Sequence, residues 1–274
     1  TASGGEAAAP SEVRLGYFPN LTHAPALIGL QEGYFADALG AETTLTPQSF
    51  NAGPAVIEAL LSGAIDASFV GPNPAINGYA KSNGTALRIV SGAASGGVSF
   101  VVKPEIDGPE DLEGTTIGTP QLGNTQDVAL RYWLKEHDLT TDTQGGGDVS
   151  IQPQENAQIL TQFSQGALDG AWVPEPWATR LVDEGGGKVL FDETTLWPGG
   201  EFVITHLIVA TKFLEEHPDT VEKLIEGEQK ALDLIETDPA AAQRATNDRI
   251  EADTQKRGPD DLLAGIEELG LRAA

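Results

Sequence analysis

The chain has 274 residues, enough for one large domain or two modest ones with a substantial core. Lys+Arg number 16 against 41 Asp+Glu, a net charge of −25, so nucleic-acid phosphates and anionic lipid surfaces are repelled, while 40% hydrophobic and 21% charged residues exclude a disordered polyelectrolyte. With no cysteine there is no thiol nucleophile, disulfide, iron–sulfur cluster or cysteine zinc site.

The absence of methionine implies a processed or trimmed chain with any export signal upstream, and no run of about 18 apolar residues is present to span a membrane. Residues 1–12, TASGGEAAAPSE, are small, polar and aperiodic. They read as a flexible tether to an upstream anchor, with a frayed terminus as the plain alternative.

From Val13 onward, short apolar runs alternate with helical-period segments, which predicts an α/β fold of parallel strands joined by crossover helices. A strand over 13–17 is followed by a helix over 24–31 opening near Pro25, then a strand over 43–47. Gly53-Pro54 opens a helix through Leu61, and the buried strand 67–70 runs into Gly71-Pro72-Asn73-Pro74 and another helix. Strands follow at 87–90 and 99–102, and composition turns loop-rich at Lys103-Pro104. The cycle restarts with strand 116–119, helix 124–137, strand 149–152, helix 156–164, strand 171–173 and helix 176–183. After a buried strand at 203–210 the chain reads as helical, with segments at 212–217, 220–237, 240–252 and 262–269. The pattern predicts two lobes, one from 13–102 plus 203–274 and one from 103–202, with crossover strands near Val102 and Phe202 acting as a hinge. Ligands of such sheets bind in the cleft beyond the carboxyl ends of the strands.

The motifs of metalloproteases, P-loop enzymes and dinucleotide-binding folds are absent, and no cofactor is expected. Ala93-Ala94-Ser95-Gly96-Gly97 is one substitution from a Gly-x-Ser-x-Gly elbow, which would make Ser95 the nucleophile of a hydrolase or lyase with His206 or His23 as base. Against it, Ser95 precedes another strand where the elbow requires a helix, and a flexible turn explains the glycines. His23, His137, His206 and His217 are too scattered for a metal site. His206 reads as a core histidine inside an apolar strand, while His23, in a loop at a strand's carboxyl end, stays a binding candidate. The positive signals share one form, a strand end, then small, amide or hydroxyl residues, then a helix start. Asn51-Ala52-Gly53-Pro54, Gly71-Pro72-Asn73-Pro74 and Gly123-Asn124-Thr125-Gln126 each offer backbone N–H groups to a small anion or polar head group, or simply cap their helices. Phe18, Trp172, Trp177 and Phe202 fall near the same ends, as pocket wall or as core.

Gly16-Tyr17 to Asn20, His23 to Gly29, Glu32 to Phe35, Phe50 to Pro54, Gly63 to Ala67, Gly71 to Pro74, Asp111 to Ile117, Gln165 to Gly170 and Glu175-Pro176, in that order, resemble the solute-binding proteins of nitrate, taurine and alkanesulfonate ABC transporters. The resemblance spans about residues 13–237. It implies a two-lobed, periplasmic-binding-protein-like molecule that is not an enzyme, closes on a small solute outside the cytoplasm, and delivers it to permease subunits. It also implies a monomer whose only membrane attachment is a lipid anchor on the precursor. Carried onto this sequence, the family's ligand positions fall on Asn20, Asn51, Ala52, Asn73, Asn124, Thr125 and Gln126. With the strand-end residues Phe18, His23, Gly53, Ser95, Gln121, Trp172, Glu175 and Phe202 they form the candidate ligand-binding set. A related branch handling thiamine pyrimidine precursors depends on a cysteine-rich segment in its enzymatic members, and this chain has no cysteine. Alkanesulfonate-binding members tend to carry a Ser/His-rich stretch in place of Gly123 to Gln126 and an aromatic residue in place of Pro174. No Lys or Arg accompanies a pocket turn, so the ligand is either an anion held by neutral groups or a neutral polar molecule.

Overall fold

A computed structural model of the protein describes residues 9–142, 144 and 146–255. Most of the expected tether, residues 1–8, and the expected helix 262–269 lie outside the described residues. The strands are β1 (Glu12–Tyr17), β2 (Thr44–Ser49), β3 (Ala67–Val70), β4 (Leu87–Ser95), β5 (Val98–Val102), β6 (Thr116–Thr119), β7 (Ser150–Pro153), β8 (Gly170–Pro174), β9 (Lys188–Asp192) and β10 (Val203–Ala210). The helices are α1 (Ala24–Gln31), α2 (Tyr34–Leu39), α3 (Gly53–Leu61), α4 (Pro72–Lys81), α5 (Thr125–Glu136), α6 (Asn156–Ser164), α7 (Trp177–Asp183), α8 (Thr211–Glu216), α9 (Pro218–Thr237) and α10 (Pro239–Thr254). Of these, α2 and β9 have no counterpart in the sequence reading. Among the described residues no helix is long and apolar enough to cross a membrane.

The strands form two five-stranded sheets, β2-β1-β3-β10-β4 and β7-β6-β8-β5-β9, so the chain is an α/β protein of two lobes. In the first sheet β1 runs parallel to β2 and β3, and β10 is antiparallel to both its neighbours. The second repeats the plan, with β6 parallel to β7 and β8, and β5 antiparallel to β8 and β9. Each antiparallel strand therefore follows directly on the edge strand of the other sheet, and these two passages are the only covalent connections between the lobes among the described residues.

The first passage corrects the expected boundary. Strand 98–102, assigned from sequence to the first lobe, lies in the second, and the chain crosses at Gly96-Gly97 rather than near Val102. Both glycines have positive φ (78° and 75°), a conformation costly for other residues. The physical reason is packing. Phe100 on β5 stacks on Trp172 of β8 at 5.3 Å and meets Trp133 of α5 and Phe191 of β9 edge-on at 5.8 and 5.7 Å. Such pairs add about 0.5–1.5 kcal/mol each beyond area burial. The return passage runs from Asp192 to Val203 through two short 3-10 turns. In the first lobe α9 packs on α1 and α2, and α10 packs on α1, so the C-terminal helices build one face of that lobe.

Candidate functional site

The carboxyl ends of β1, β2 and β3 face those of β6 and β8 across the inter-lobe cleft, and the loops leaving them enclose a small cavity of about 20 Å³. That is room for one water-sized group. The first lobe contributes Phe18, Asn20, Thr22 and His23 after β1, Asn51, Ala52 and Gly53 after β2, Gly71 and Pro74 after β3, and Ile204 and Thr205 from β10. The second contributes Pro120, Asn124, Thr125 and Gln126 after β6, and Pro174 at the end of β8. The lining contains no Asp, Glu, Lys or Arg.

Three helices begin at this cavity, α3 behind Ala52, α4 behind Gly71 and α5 behind Asn124. Their first-turn N–H groups carry partial positive charge aimed at its interior. Prolines decide how many donors each can offer. Pro72 and Pro74 remove two from α4, and Pro54 removes one from α3. The first turn of α5 contains no proline, so Thr125 and Gln126 keep their N–H groups. Asn124 caps α5 by accepting the Asp127 N–H at 2.9 Å, and its Nδ2 donates to Gln126 Oε1 at 2.8 Å. Buried Asp127 braces the turn, accepting from Thr119 Oγ1 at 3.0 Å, Gly123 N at 2.9 Å and Arg131 Nε at 2.9 Å. Gln126 Nε2 has no partner among the described residues.

His23 is the only titratable group in the lining. Burial pushes its pKa down to about 3, so the imidazole is neutral. Its Nδ1 accepts the Phe18 N–H at 3.2 Å, which leaves the proton on Nε2, and the ring stacks on Phe18 at 4.2 Å. Thr205 Oγ1 donates to the Thr22 carbonyl at 2.7 Å, tying β10 to the same loop.

Several contacts join the lobes around the cavity. Asn51 Nδ2 donates to the Pro120 carbonyl at 3.0 Å, and its Oδ1 accepts from Asn156 N at 3.2 Å and Asn156 Nδ2 at 3.4 Å. Trp177 Nε1 donates to Asn20 Oδ1 at 3.0 Å, and the Leu21 N–H to the Glu175 carbonyl at 2.9 Å. Gly71 faces Thr125 so closely that a Cβ there would lie 2.3 Å from Thr125 Oγ1.

Of the candidate set, Phe18, Asn20, His23, Asn51, Ala52, Gly53, Asn124, Thr125 and Gln126 come together in this lining, and six others lie elsewhere. Trp172 is fully buried in the second-lobe core, where its Nε1 donates to Glu193 Oε2 at 2.8 Å. It faces away from the cleft because α5, Phe100 and Phe191 pack on its side of β8. Phe202 stacks on Trp197 at 5.3 Å in the return passage. Ser95 Oγ donates to the Phe202 carbonyl at 2.6 Å and accepts the Phe202 N–H at 3.3 Å, so it fastens the two passages with no histidine on it. His206 stays on β10 with its buried Nδ1 unpartnered. Asn73 and Gln121 lie beside the lining, where Pro74 and Pro120 take their places. Glu175 turns toward α7, accepting from Thr179 N and Oγ1 at 3.1 Å, and burial raises its pKa to about 7. Pro174, marked as a departure from the alkanesulfonate-binding pattern, lines the cavity too, and Thr22, Gly71, Ile204 and Thr205 line it without having been placed in the candidate set. Gly71 was marked as part of a helix-start turn and Thr22 lies between Asn20 and His23, whereas Ile204 and Thr205 carry no local signal.

The profile of the NMT1-like family matches residues 6–248. The taurine-binding periplasmic protein of Escherichia coli K12 is 27% identical over 72% of this chain and 59% of its own length, so the chain spans about three fifths of that relative. A putative aliphatic sulfonates-binding protein of Bacillus subtilis 168 is 27% identical over 81% of this chain and 64% of its own length. Among solved structures, the alkanesulfonate-binding protein SsuA from Xanthomonas axonopodis pv. citri bound to MOPS superposes with a TM-score of 0.78 at 20% identity, covering 97% of this chain and 88% of that one. The shared feature is the fold, the two-lobed α/β architecture of periplasmic binding proteins.

Proposed function

The chain belongs to the NMT1-like family, and from that membership and the cleft we propose that it is the extracytoplasmic solute-binding protein of an ABC importer, without enzymatic activity. Its ligand is a small anion or anionic head group of the sulfonate, taurine or nitrate kind, delivered to membrane permease subunits. The observation that carries the reading is the convergence of three helix N-termini and a ring of neutral amide and hydroxyl groups, drawn from both lobes, on one small enclosed cavity.

An anion there takes N–H groups of α5 from one lobe and of α3 from the other, so binding energy goes directly into holding the lobes together. The two passages, Gly96-Gly97 and residues 193–202, are the hinge about which they part. Selectivity rests on oriented dipoles and cavity size, since the lining carries no cationic side chain. The hydrolase alternative finds no support at Ser95, whose hydroxyl is engaged by Phe202.

A thermal-shift panel of taurine, short alkanesulfonates, nitrate and bicarbonate, followed by native mass spectrometry, tests the proposal. At 100 times its Kd a ligand that binds only the folded state adds about 2.7 kcal/mol. A clear rise in Tm with one solute and a one-to-one complex is expected. No stabilisation and no bound species across the panel would reject the anion reading.

A further inference from the structure

We propose that a larger recess at the mouth of the cleft seats the body of the solute, and that the ligand therefore carries a planar, ring-sized apolar group behind its small polar head. The inference rests on the binding-protein reading above and adds to it the shape of the ligand. The recess has a volume of about 390 Å³ against about 20 Å³ for the inner cavity, within the usual range for small-molecule sites, about 300–1,000 Å³. Both lobes form it, with Pro19 and Ile250 from the first and Leu160, Trp177 and Arg180 from the second. It shares Asn51 with the inner cavity. The two also adjoin where Trp177, which lines the recess, donates to Asn20, which lines the cavity.

The recess walls select for its occupant. Leu160 and Ile250 are buried apolar side chains, and Trp177 presents a half-buried indole. Arg180 lies over that indole at 4.8 Å, while its Nε and Nη2 are spent on Glu184 at 2.6 and 3.2 Å. Glu184 thus takes the Nε–Nη2 edge and offsets the guanidinium charge beside the recess. The half-buried indole of Trp177, beside Leu160 and Ile250, suits a planar, apolar ring. The aromatic wall that the sequence placed at Trp172 is thus supplied by Trp177, one turn beyond the end of β8.

Calorimetry with methanesulfonate and benzenesulfonate tests this on the full chain. Both probes present the same sulfonate head group to the inner cavity, which at about 20 Å³ admits it only as the lobes part, and only the second has a ring for the recess. The expected result is that benzenesulfonate binds about tenfold tighter or more. Ala157, an exposed residue of α6 that lines the recess and not the cavity, gives the diagnostic variant. Ala157→Trp fills the recess, and should weaken benzenesulfonate by about tenfold while leaving methanesulfonate within about twofold. Equal affinities in the wild type, or a variant that shifts both probes alike or neither, would overturn the recess assignment while leaving the binding-protein reading intact. Failure of both probes to bind the wild type would remove the anion reading and this one with it.

Discussion

The side-chain carbonyl of Asn51, in the first lobe, caps a helix of the second by accepting the backbone N–H of Asn156, the first residue of α6, at 3.2 Å. The cap residue belonging to α6 itself, Glu155, makes no side-chain capping bond. An orphan donor at a helix start is therefore satisfied from across the cleft, so the capping of α6 depends on contact between the two lobes.

Asn51→Ala should open the cleft. It removes the bonds to Pro120 and Asn156, at about 0.5–1.5 kcal/mol each. Because the chain has no cysteine, labels on Glu58→Cys and Gln158→Cys, exposed positions in opposite lobes, report the inter-lobe distance cleanly. The alanine variant should lengthen and broaden that distance. An unchanged distribution would mean that the clasp carries no weight.

Gly71→Ala should act on the same equilibrium by sterics. The added methyl would sit 2.3 Å from Thr125 Oγ1, but the backbone of Gly71 is extended (φ −70°, ψ 162°) and accepts alanine without strain. Opening the lobes relieves the clash, so folding stability should stay within about 1 kcal/mol of wild type while solute affinity falls. A large loss of stability with normal affinity would place the contact within a single rigid core.

Ser95→Ala should weaken the molecule without touching its chemistry. The hydroxyl holds Phe202 at both its carbonyl and its N–H, and losing both bonds should cost about 1–2 kcal/mol in chemical denaturation. Wild-type protein should take up no fluorophosphonate probe. Stoichiometric labelling at Ser95 would revive the hydrolase alternative.

Stability should fall as pH rises through the weakly acidic range. Glu228 on α9 is 1% exposed, neither carboxyl oxygen has a partner at bonding geometry, and burial raises its pKa from 4.5 to about 7 against a small pull from nearby Ser91. Below pH 4.5 folded and unfolded chains both hold the proton, whereas between 4.5 and about 7 only the folded chain does, so each rise in pH favours unfolding. Glu228→Gln should remove about 2–3 kcal/mol of that fall, read as ΔG of unfolding at pH 4.5 and pH 8. Identical pH profiles for the two proteins would show that Glu228 titrates normally.

The α/β class, most strands and helices, and the helix-start turns at Asn51, Gly71 and Asn124 were legible because each is written in local apolar runs, glycine, proline and capping residues. What was lost depends on partners distant in sequence. An apolar run such as 98–102 satisfies either sheet, and only Trp172, Trp133 and Phe191 decide which one takes it. Strand β9 is a partly buried edge strand behind three glycines, with little periodicity to read. Trp172 and Trp177 both sit near a strand end, and packing alone turns the first into the core and leaves the second in the cleft. Ile204 and Thr205 reach the cavity because β10 pairs beside β3, a long-range pairing that their own neighbourhood does not announce.

Calorimetric titration of taurine and methanesulfonate into wild type, Gln126→Ala and Asn124→Ala, with denaturation curves alongside, tests most directly whether the start of α5 holds an anion. Gln126→Ala should weaken binding by about 1.5–3 kcal/mol, the value of a hydrogen bond to a charged group, with little change in stability. Asn124→Ala, which removes the cap on Asp127, should also cost about 0.5–2 kcal/mol of stability. Wild-type protein that binds neither solute, or a Gln126→Ala variant with full affinity and reduced stability, would contradict the assignment and leave this turn a helix cap alone.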